Sequence, residues 1–195
     1  MKIAIVDSGG ANLASVKDAL ERLGVEGELT ADARKIRAAD KVLLPGVGSA
    51  ADAMERLKAR GLVETLRGLK RPALGICLGM QLLFESSDEG PTPCLGVLPG
   101  AVAKIRADAP IPHMGWNRLA TDGKRSPLLA GIEAGSFFYF VHSYRGPWGD
   151  WVRGWCEYGE RIPAVVEKDN FFGVQFHPER SGAAGARLLG NFLAL

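Results

Sequence analysis

Three short apolar runs, at residues 3–6, 42–44 and 73–76, each end in a glycine-bearing turn and each give way to apolar residues at helical spacing. Short Ile, Val, Leu and Ala runs without polar alternation mark strands buried on both faces, and such strands belong to parallel sheets covered by helices. After the first run, residues 7–12 form a turn cluster. Leu13, Val16, Leu20 and Leu23 then recur at three- and four-residue intervals, with Asn12 as the cap and Gly24 as the stop. After the second, Pro45-Gly46-Val47-Gly48 is a loop and residues 50–60 are a helix with Met54 and Leu57 inward, ended by Gly61. A further helical stretch at 62–69 leads through Arg71 and Pro72 into the third strand. This alternation predicts an open α/β sheet, whose ligands gather beyond the carboxyl ends of the strands. Asp7, Gly46 and Cys77 fall there.

From residue 85 the pattern changes. Residues 85–99 are rich in Gly, Pro and Ser, and the apolar runs beyond them, 102–105, 137–141, 152–158, 164–168 and 171–177, follow closely with little helix between. They predict added antiparallel strands, with Lys168-Asp169-Asn170 as a turn and a closing helix over 182–195. No repeat, low-complexity tract or composition break marks a linker, so residues 1–195 are expected to form one domain around a mixed, mostly parallel sheet.

With a net charge of +2 and no densely basic window, the chain lacks the footprint of a nucleic-acid binder or a polybasic membrane contact, so a small-molecule substrate is expected. The start turns acidic at Asp7, too soon for a secretory signal, and no apolar stretch approaches the ~20 residues of a membrane span, which predicts a cytoplasmic protein. Cys77, Cys94 and Cys156 show no paired spacing, and His113, His142 and His177 show no ligand spacing. Neither a disulfide framework, nor a metal, nor a cofactor is expected.

Cys77 stands where the third strand breaks, between Gly75 and Gly79. Glycines on both sides allow a tight strand-to-helix turn with space above the sulfur, the mechanics of a nucleophile elbow. Leu82, Leu83 and Phe84 would continue a helix whose N-terminus favours thiolate over thiol. A buried structural cysteine is the competing reading. His177-Pro178-Glu179 supplies the other half of a nucleophile, base and orienter set: proline pushes His177 into extended chain, where residues two apart share a side. The Gly46 and Gly48 loop loosely matches a dinucleotide fingerprint, but the acidic residue that reading needs is replaced by Cys77. That leaves an oxyanion-binding loop or an ordinary strand-to-helix turn. The aromatic run at 137–140 reads as core, with His142, Ser143 and Tyr144 at its end able to line a site.

Taken together, Gly75 to Gln81 around Cys77 and Phe176-His177-Pro178-Glu179 resemble the class I (triad) glutamine amidotransferases, over essentially the whole chain. Within that family the resemblance is to the glutaminase subunits of imidazole glycerol phosphate synthase. Residues 7–16, the 45–48 loop and His113-Met114-Gly115-Trp116-Asn117 carry it, with 139–144 in support. The opening loop departs from the usual pattern, with Ser8 where tyrosine is common and Ala11 where glycine is common.

The resemblance implies a flavodoxin-like fold and hydrolysis of L-glutamine to glutamate and ammonia through a thioester on Cys77. His177 would be general base and acid and Glu179 its orienter. It further implies an oxyanion hole at Val47, Gly48 and Leu78, and glutamine contacts at Gly46, Gln81, Glu89, His142 and Ser143. Asn12, Trp116 and Arg180 would meet a (β/α)8 barrel cyclase in a heterodimer. The cyclase would use the ammonia to make imidazole glycerol phosphate and an aminoimidazole carboxamide ribotide. A chain of this length holds no acceptor domain of its own, which also points to a partner. The alternatives are a glutaminase of anthranilate, aminodeoxychorismate or pyridoxal phosphate synthesis, disfavoured by residues 113–117, a flavodoxin-like binding domain with inert Cys77, and a cysteine peptidase.

Overall fold

The computed structural model describes residues 1–9, 13–106 and 108–195. In chain order, the first half comprises β1 (Ile3–Val6), α1 (Leu13–Arg22), β2 (Gly27–Thr30), α2 (Ala33–Ala38), β3 (Lys41–Gly46), α3 (Ala50–Ala59), α4 (Val63–Arg67), β4 (Ala73–Cys77) and α5 (Leu78–Gln81). The second half comprises β5 (Ser86–Ser87), β6 (Thr92–Pro93), β7 (Ala101–Lys104), β8 (His113–Arg118), β9 (Phe137–His142), β10 (Tyr144–Arg145), β11 (Val152–Tyr158), β12 (Glu160–Lys168), β13 (Phe171–Val174) and α6 (Gly182–Leu193).

Among the described residues, the main sheet has seven strands in the order β11-β12-β13-β4-β3-β1-β2. From β13 to β2 every pairing is parallel, whereas β11, β12 and β13 pair antiparallel, so the sheet is mixed and mostly parallel as expected. The added strands do not all join it. Four short ones make a separate sheet, β10-β7-β5-β6, and β8 pairs with β9 in a two-stranded ribbon.

Successive strand residues point to opposite faces, and both faces are covered. Ala4 and Val6 of β1 and Val42 and Leu44 of β3 pack with Met54 and Leu57 of α3 on one side. Ile3, Ile5 and Leu43 pack with Val16 and Leu20 of α1 and with Leu188 and Phe192 of α6 on the other. Buried apolar area of this kind, at about 25 cal/mol per Å2, is the main favourable term in folding.

In the first half of the chain, β2 and α2 escape the sequence pattern for physical reasons. β2 is the edge strand and reads Gly-Glu-Leu-Thr with Leu29 turned outward, so it shows no apolar run. α2 buries Ile36 alone and has no periodicity to detect; Asp32 caps it, accepting from the Arg34 amide at 2.7 Å.

β3 runs two residues past its apolar core, through Pro45 and Gly46. Pairing with β1 ends at Leu43, while pairing with β4 continues to Gly46 and Cys77. Proline, which lacks the N–H, therefore sits where the β1 side of the strand has no ladder left to fill. Its carbonyl accepts from the buried Ser8 hydroxyl at 3.0 Å. The strand expected over 171–177 ends at Val174, and the turn before it holds Asp169 at φ 54. No helix among the described residues is long and apolar enough to cross a membrane.

Candidate active site

Cys77 ends β4 with φ 55 and ψ −110, a combination well outside the regions open to residues with a Cβ. A non-glycine residue held there stores strain of about 1–3 kcal/mol that surrounding contacts must offset. The flanking glycines are needed for a reason other than room above the sulfur. A Cβ on Gly79 would lie 1.7 Å from the Leu44 carbonyl oxygen, and one on Gly75 would lie 2.5 Å from the Gly79 carbonyl oxygen. The elbow is thus pressed against β3 and against itself, backbone on backbone. The helix after it is shorter than its apolar sequence suggests. α5 is one turn, Leu78–Gln81, and Leu82, Leu83 and Phe84 fold into turns that fill the core. One turn sums few peptide dipoles, so what it brings to the sulfur is local N–H groups rather than the field of a long helix.

His177 reaches the same place from the other side. Beyond β13 the Gln175 amide donates to the Ala164 carbonyl and the His177 amide to the Tyr139 carbonyl, each at 2.9 Å, so the chain bridges β12 to β9. The Ser181 hydroxyl donates to the His177 carbonyl at 2.7 Å and accepts from the Tyr139 amide at 3.0 Å. His177 is extended, as expected, but Pro178–Arg180 is a 3-10 turn rather than extended chain. Proline suits the first position of such a turn. The turn swings the Glu179 carboxylate back beneath the imidazole, with Nδ1 of His177 2.8 Å from Oε1 of Glu179.

Burial pulls the His177 pKa down, but hydrogen bonds and charge from Cys77 and Glu179 outweigh it and raise the imidazole to about 10. With Nδ1 on Glu179, Nε2 is the nitrogen that faces the sulfur. The sulfur has two further neighbours, the Val141 carbonyl at 3.6 Å and Nε2 of Gln175 at 3.8 Å.

A cavity of about 260 Å3 opens over this cluster. It is smaller than the ~300–1,000 Å3 typical of drug-sized ligands, which fits an occupant of amino-acid size. Of the residues singled out in the sequence, Val47, Gly48, Cys77, Leu78, Gln81 and Glu89 line it, as do His142, Ser143 and His177. Glu179 lies behind His177 with no exposed side chain. Gly46 does not line the cavity; it pairs with Cys77 beneath it, and a Cβ there would come 3.1 Å from that of Leu78. A larger cavity of about 730 Å3 lies at the amino ends of β1 and β2, the opposite edge of the sheet, and is lined by neither cysteine nor histidine.

Two lining residues have partners already. Oε2 of Glu89 accepts from the Ala50 amide at 2.9 Å, where Ser49 caps α3. Nε2 of Gln81 donates to the Tyr144 carbonyl and to Oε1 of Gln175, both at 2.9 Å. His142 is buried; desolvation, with the neighbouring His113 and His177 charges, lowers its pKa to about 3 against the opposing pull of the Tyr144 carbonyl. Trp116 on β8 is 56% exposed and Arg180 is exposed, both outside the cavity. Asn12 lies outside the described residues.

Gln175 was not singled out from the sequence, although a lone glutamine inside the apolar stretch 171–176 was a legible signal: it is fully buried beside the sulfur. Pro112 and Val141 also line the cavity, and only their place in the fold brings them there.

The sequence matches the family described as Glutamine amidotransferase class-I over residues 4–195. It is 52% identical over 197 residues to the Imidazole glycerol phosphate synthase subunit HisH of Xylella fastidiosa (strain Temecula1 / ATCC 700964), covering 100% of this chain and 98% of that one. It is 47% identical over 211 residues to the protein of the same name from Shewanella oneidensis, covering 99% and 96%. Among solved structures, the fold is similar to a glutamine amidotransferase at TM-score 0.77 and 20% identity, covering 100% of this chain and 98% of that one. It is also similar to the glutaminase domain of Trypanosoma brucei CTPS at TM-score 0.70 and 16% identity, covering 100% and 94%. The chain belongs to the class-I glutamine amidotransferase family.

Proposed function

We propose that this protein is the glutaminase subunit of an imidazole glycerol phosphate synthase, a single-domain cytoplasmic enzyme. It hydrolyses L-glutamine and passes the ammonia to a (β/α)8 barrel cyclase in a heterodimer, for histidine biosynthesis. The observation that carries the reading is His177 held between the Cys77 sulfur and Glu179, 2.8 Å from the latter, at the floor of a small cavity. The names of the full-length relatives support the pathway.

In this mechanism the proton rests on His177, which the raised pKa favours. The sulfur attacks the side-chain carboxamide carbon of glutamine, and N–H groups of Val47, Gly48 and Leu78 take the developing oxyanion. His177 then protonates the leaving nitrogen, releasing ammonia and leaving a glutamyl thioester on Cys77. The neutral imidazole takes a proton from water, whose oxygen attacks the thioester. Glutamate leaves, and the proton stays on His177 beside the regenerated sulfur. Glu179 keeps Nε2 aimed at the sulfur and supplies the charge that the imidazolium needs. Gln81, Glu89, His142 and Ser143 hold glutamine, with Gly46 beneath them allowing the close packing. Trp116, Arg180 and Asn12 meet the cyclase.

Glutamate release by wild type and by Cys77→Ala, with and without the barrel cyclase and its ribotide ligand, tests this. Activity surviving in Cys77→Ala would sink the catalytic assignment. Stimulation by the partner of a different synthase, and not by the barrel cyclase, would sink the pathway. Equal turnover with and without the cyclase would show that the 46–48 loop needs no partner to orient it.

A further inference from the structure

Behind the sulfur lies a set of buried hydrogen bonds that the hydrolysis steps do not use. Gln175 is fully buried between β13 and His177. The direction of its amide is fixed by a chain of constraints that begins at a backbone carbonyl. The Tyr144 carbonyl can only accept, so the end of Gln81 that faces it at 2.9 Å must be the amide nitrogen. The same nitrogen lies 2.9 Å from Gln175, so the end of Gln175 that meets it must be Oε1. Nε2 of Gln175 is then turned to the sulfur, 3.8 Å from Sγ.

The Tyr144 carbonyl also receives Nδ1 of His142 at 2.8 Å. That leaves Nε2 of the neutral ring to accept from Nδ1 of His113 at 3.0 Å, and Nε2 of His113 to accept from Nδ2 of Asn117 at 3.2 Å. Every orientation in this network follows from the one carbonyl.

We propose that Gln175 is a positioning residue for Cys77, its side-chain N–H aimed at the sulfur by Gln81. The sulfur has two neutral neighbours of opposite kind. The Val141 carbonyl, 3.6 Å away, can accept S–H while the proton is on sulfur and repels a bare negative charge. The Gln175 N–H does the reverse, strengthening as sulfur becomes the acceptor, because hydrogen bonds to charged groups are the stronger class. With the proton on His177, the bare sulfur is therefore held toward Gln175 and away from Val141. That fixes the line along which it can attack.

This rests on the glutaminase reading for its consequence, but its test does not. Gln175→Met removes the donor at similar length and leaves a thioether, a weak acceptor, for Gln81; Gln175→Leu removes the donor at similar volume. The alkylation rate of Cys77 by iodoacetamide at neutral pH, counted against a Cys77→Ala control, reads the sulfur with no glutamine present. Both variants should be alkylated roughly tenfold or more slowly, in line with loss of a charge-assisted hydrogen bond. With the cyclase bound, kcat for glutamine should fall in proportion while KM stays within about twofold. Should Gln175→Leu fail to fold, Gln175→Met, whose thioether can take the Gln81 N–H, decides. Alkylation within about twofold of wild type in a folded variant, or an effect confined to KM, would overturn the proposal. Absent glutaminase activity in the wild-type complex would instead overturn the functional reading and leave the alkylation comparison standing.

Discussion

His113 and His142 face each other across the β8–β9 ribbon, with Nδ1 of the first 3.0 Å from Nε2 of the second and both rings buried. Burial lowers His113 to a pKa of about 4, and burial with the His113 and His177 charges lowers His142 to about 3. In the unfolded chain both would titrate near 6.5. Between those values the unfolded state binds more protons, so stability rises with pH across the window. The contribution of the pair is fully present above pH 6.5 and is lost as pH falls through 4 and then 3. Each histidine contributes a slope of up to about 1.4 kcal/mol per pH unit there. Urea unfolding between pH 7 and 4.5 should show this decline, and His142→Gln should flatten it. An unchanged slope in the variant would contradict the neutral pairing.

The elbow gives a sharper steric test. Gly79→Ala places a Cβ 1.7 Å from the Leu44 carbonyl oxygen, with backbone on both sides of the contact and nothing flexible to move. A cost at or above the ~1–3 kcal/mol of ordinary overpacking is expected, with the elbow displaced and glutaminase activity lost. Gly48→Ala meets no atom within 4 Å and strains only its φ of 91, so its stability loss should be the smaller of the two. Thermal melts of both variants check the order. The reverse order would mean that the elbow tolerates a separation of β4 from β3 that its packing denies.

The sequence carried the frame of this site better than its wiring. β1, β3 and β4 were legible because they are buried on both faces and read as unbroken apolar runs. Cys77 and His177 were legible because a glycine-flanked cysteine and a His-Pro-Glu at a strand end are local patterns. The sequence reads the turn that delivers Glu179 as extended chain, since proline favours both; backbone bonds from Arg180 to His177 and from Ser181 to Pro178, with the Ser181 hydroxyl on the Tyr139 amide, go with the 3-10 form. Glu89 could be named as a pocket residue, but its bond to the Ala50 amide depends on two segments 39 residues apart. β8 was recognised as a motif and not as a strand: Met114 and Trp116 are exposed while His113 is buried, so no apolar alternation marks it. The sulfur's contacts with Val141 and Gln175 span 64 and 98 residues, beyond the reach of any local pattern.

Ser8, where tyrosine is common in the family, has a definite task in this chain. Its hydroxyl meets the Pro45 carbonyl at 3.0 Å in a buried setting, just before the turn that carries Val47 and Gly48. Ser8→Ala leaves that carbonyl without its donor, at a cost of about 1–2 kcal/mol, or roughly 2–8 °C in Tm for a chain of this size. If the bond also sets the loop, kcat with the cyclase present should fall by more than the unfolded fraction explains. A melting point equal to wild type would show that the bond contributes nothing.

Glu179 separates orientation from charge. Its carboxylate is wholly enclosed and touches Nδ1 of His177 at 2.8 Å, on the far side of the ring from the sulfur. Glu179→Gln leaves an oxygen in place to accept from Nδ1, so the ring should keep its direction, while some stability at neutral pH is lost with the charged partner of a raised imidazole. What is lost is the charge that, with Cys77, holds the His177 pKa up against burial. The imidazolium beside the sulfur then loses a counter-charge at each step where it carries the proton. Because Glu179 does not line the cavity, KM for glutamine should be little altered while kcat drops on the order of 10²-fold or more. Steady-state kinetics of the variant with the cyclase bound read both constants, and a variant whose kcat matches wild type would remove Glu179 from the mechanism and leave Cys77 and His177 as a pair.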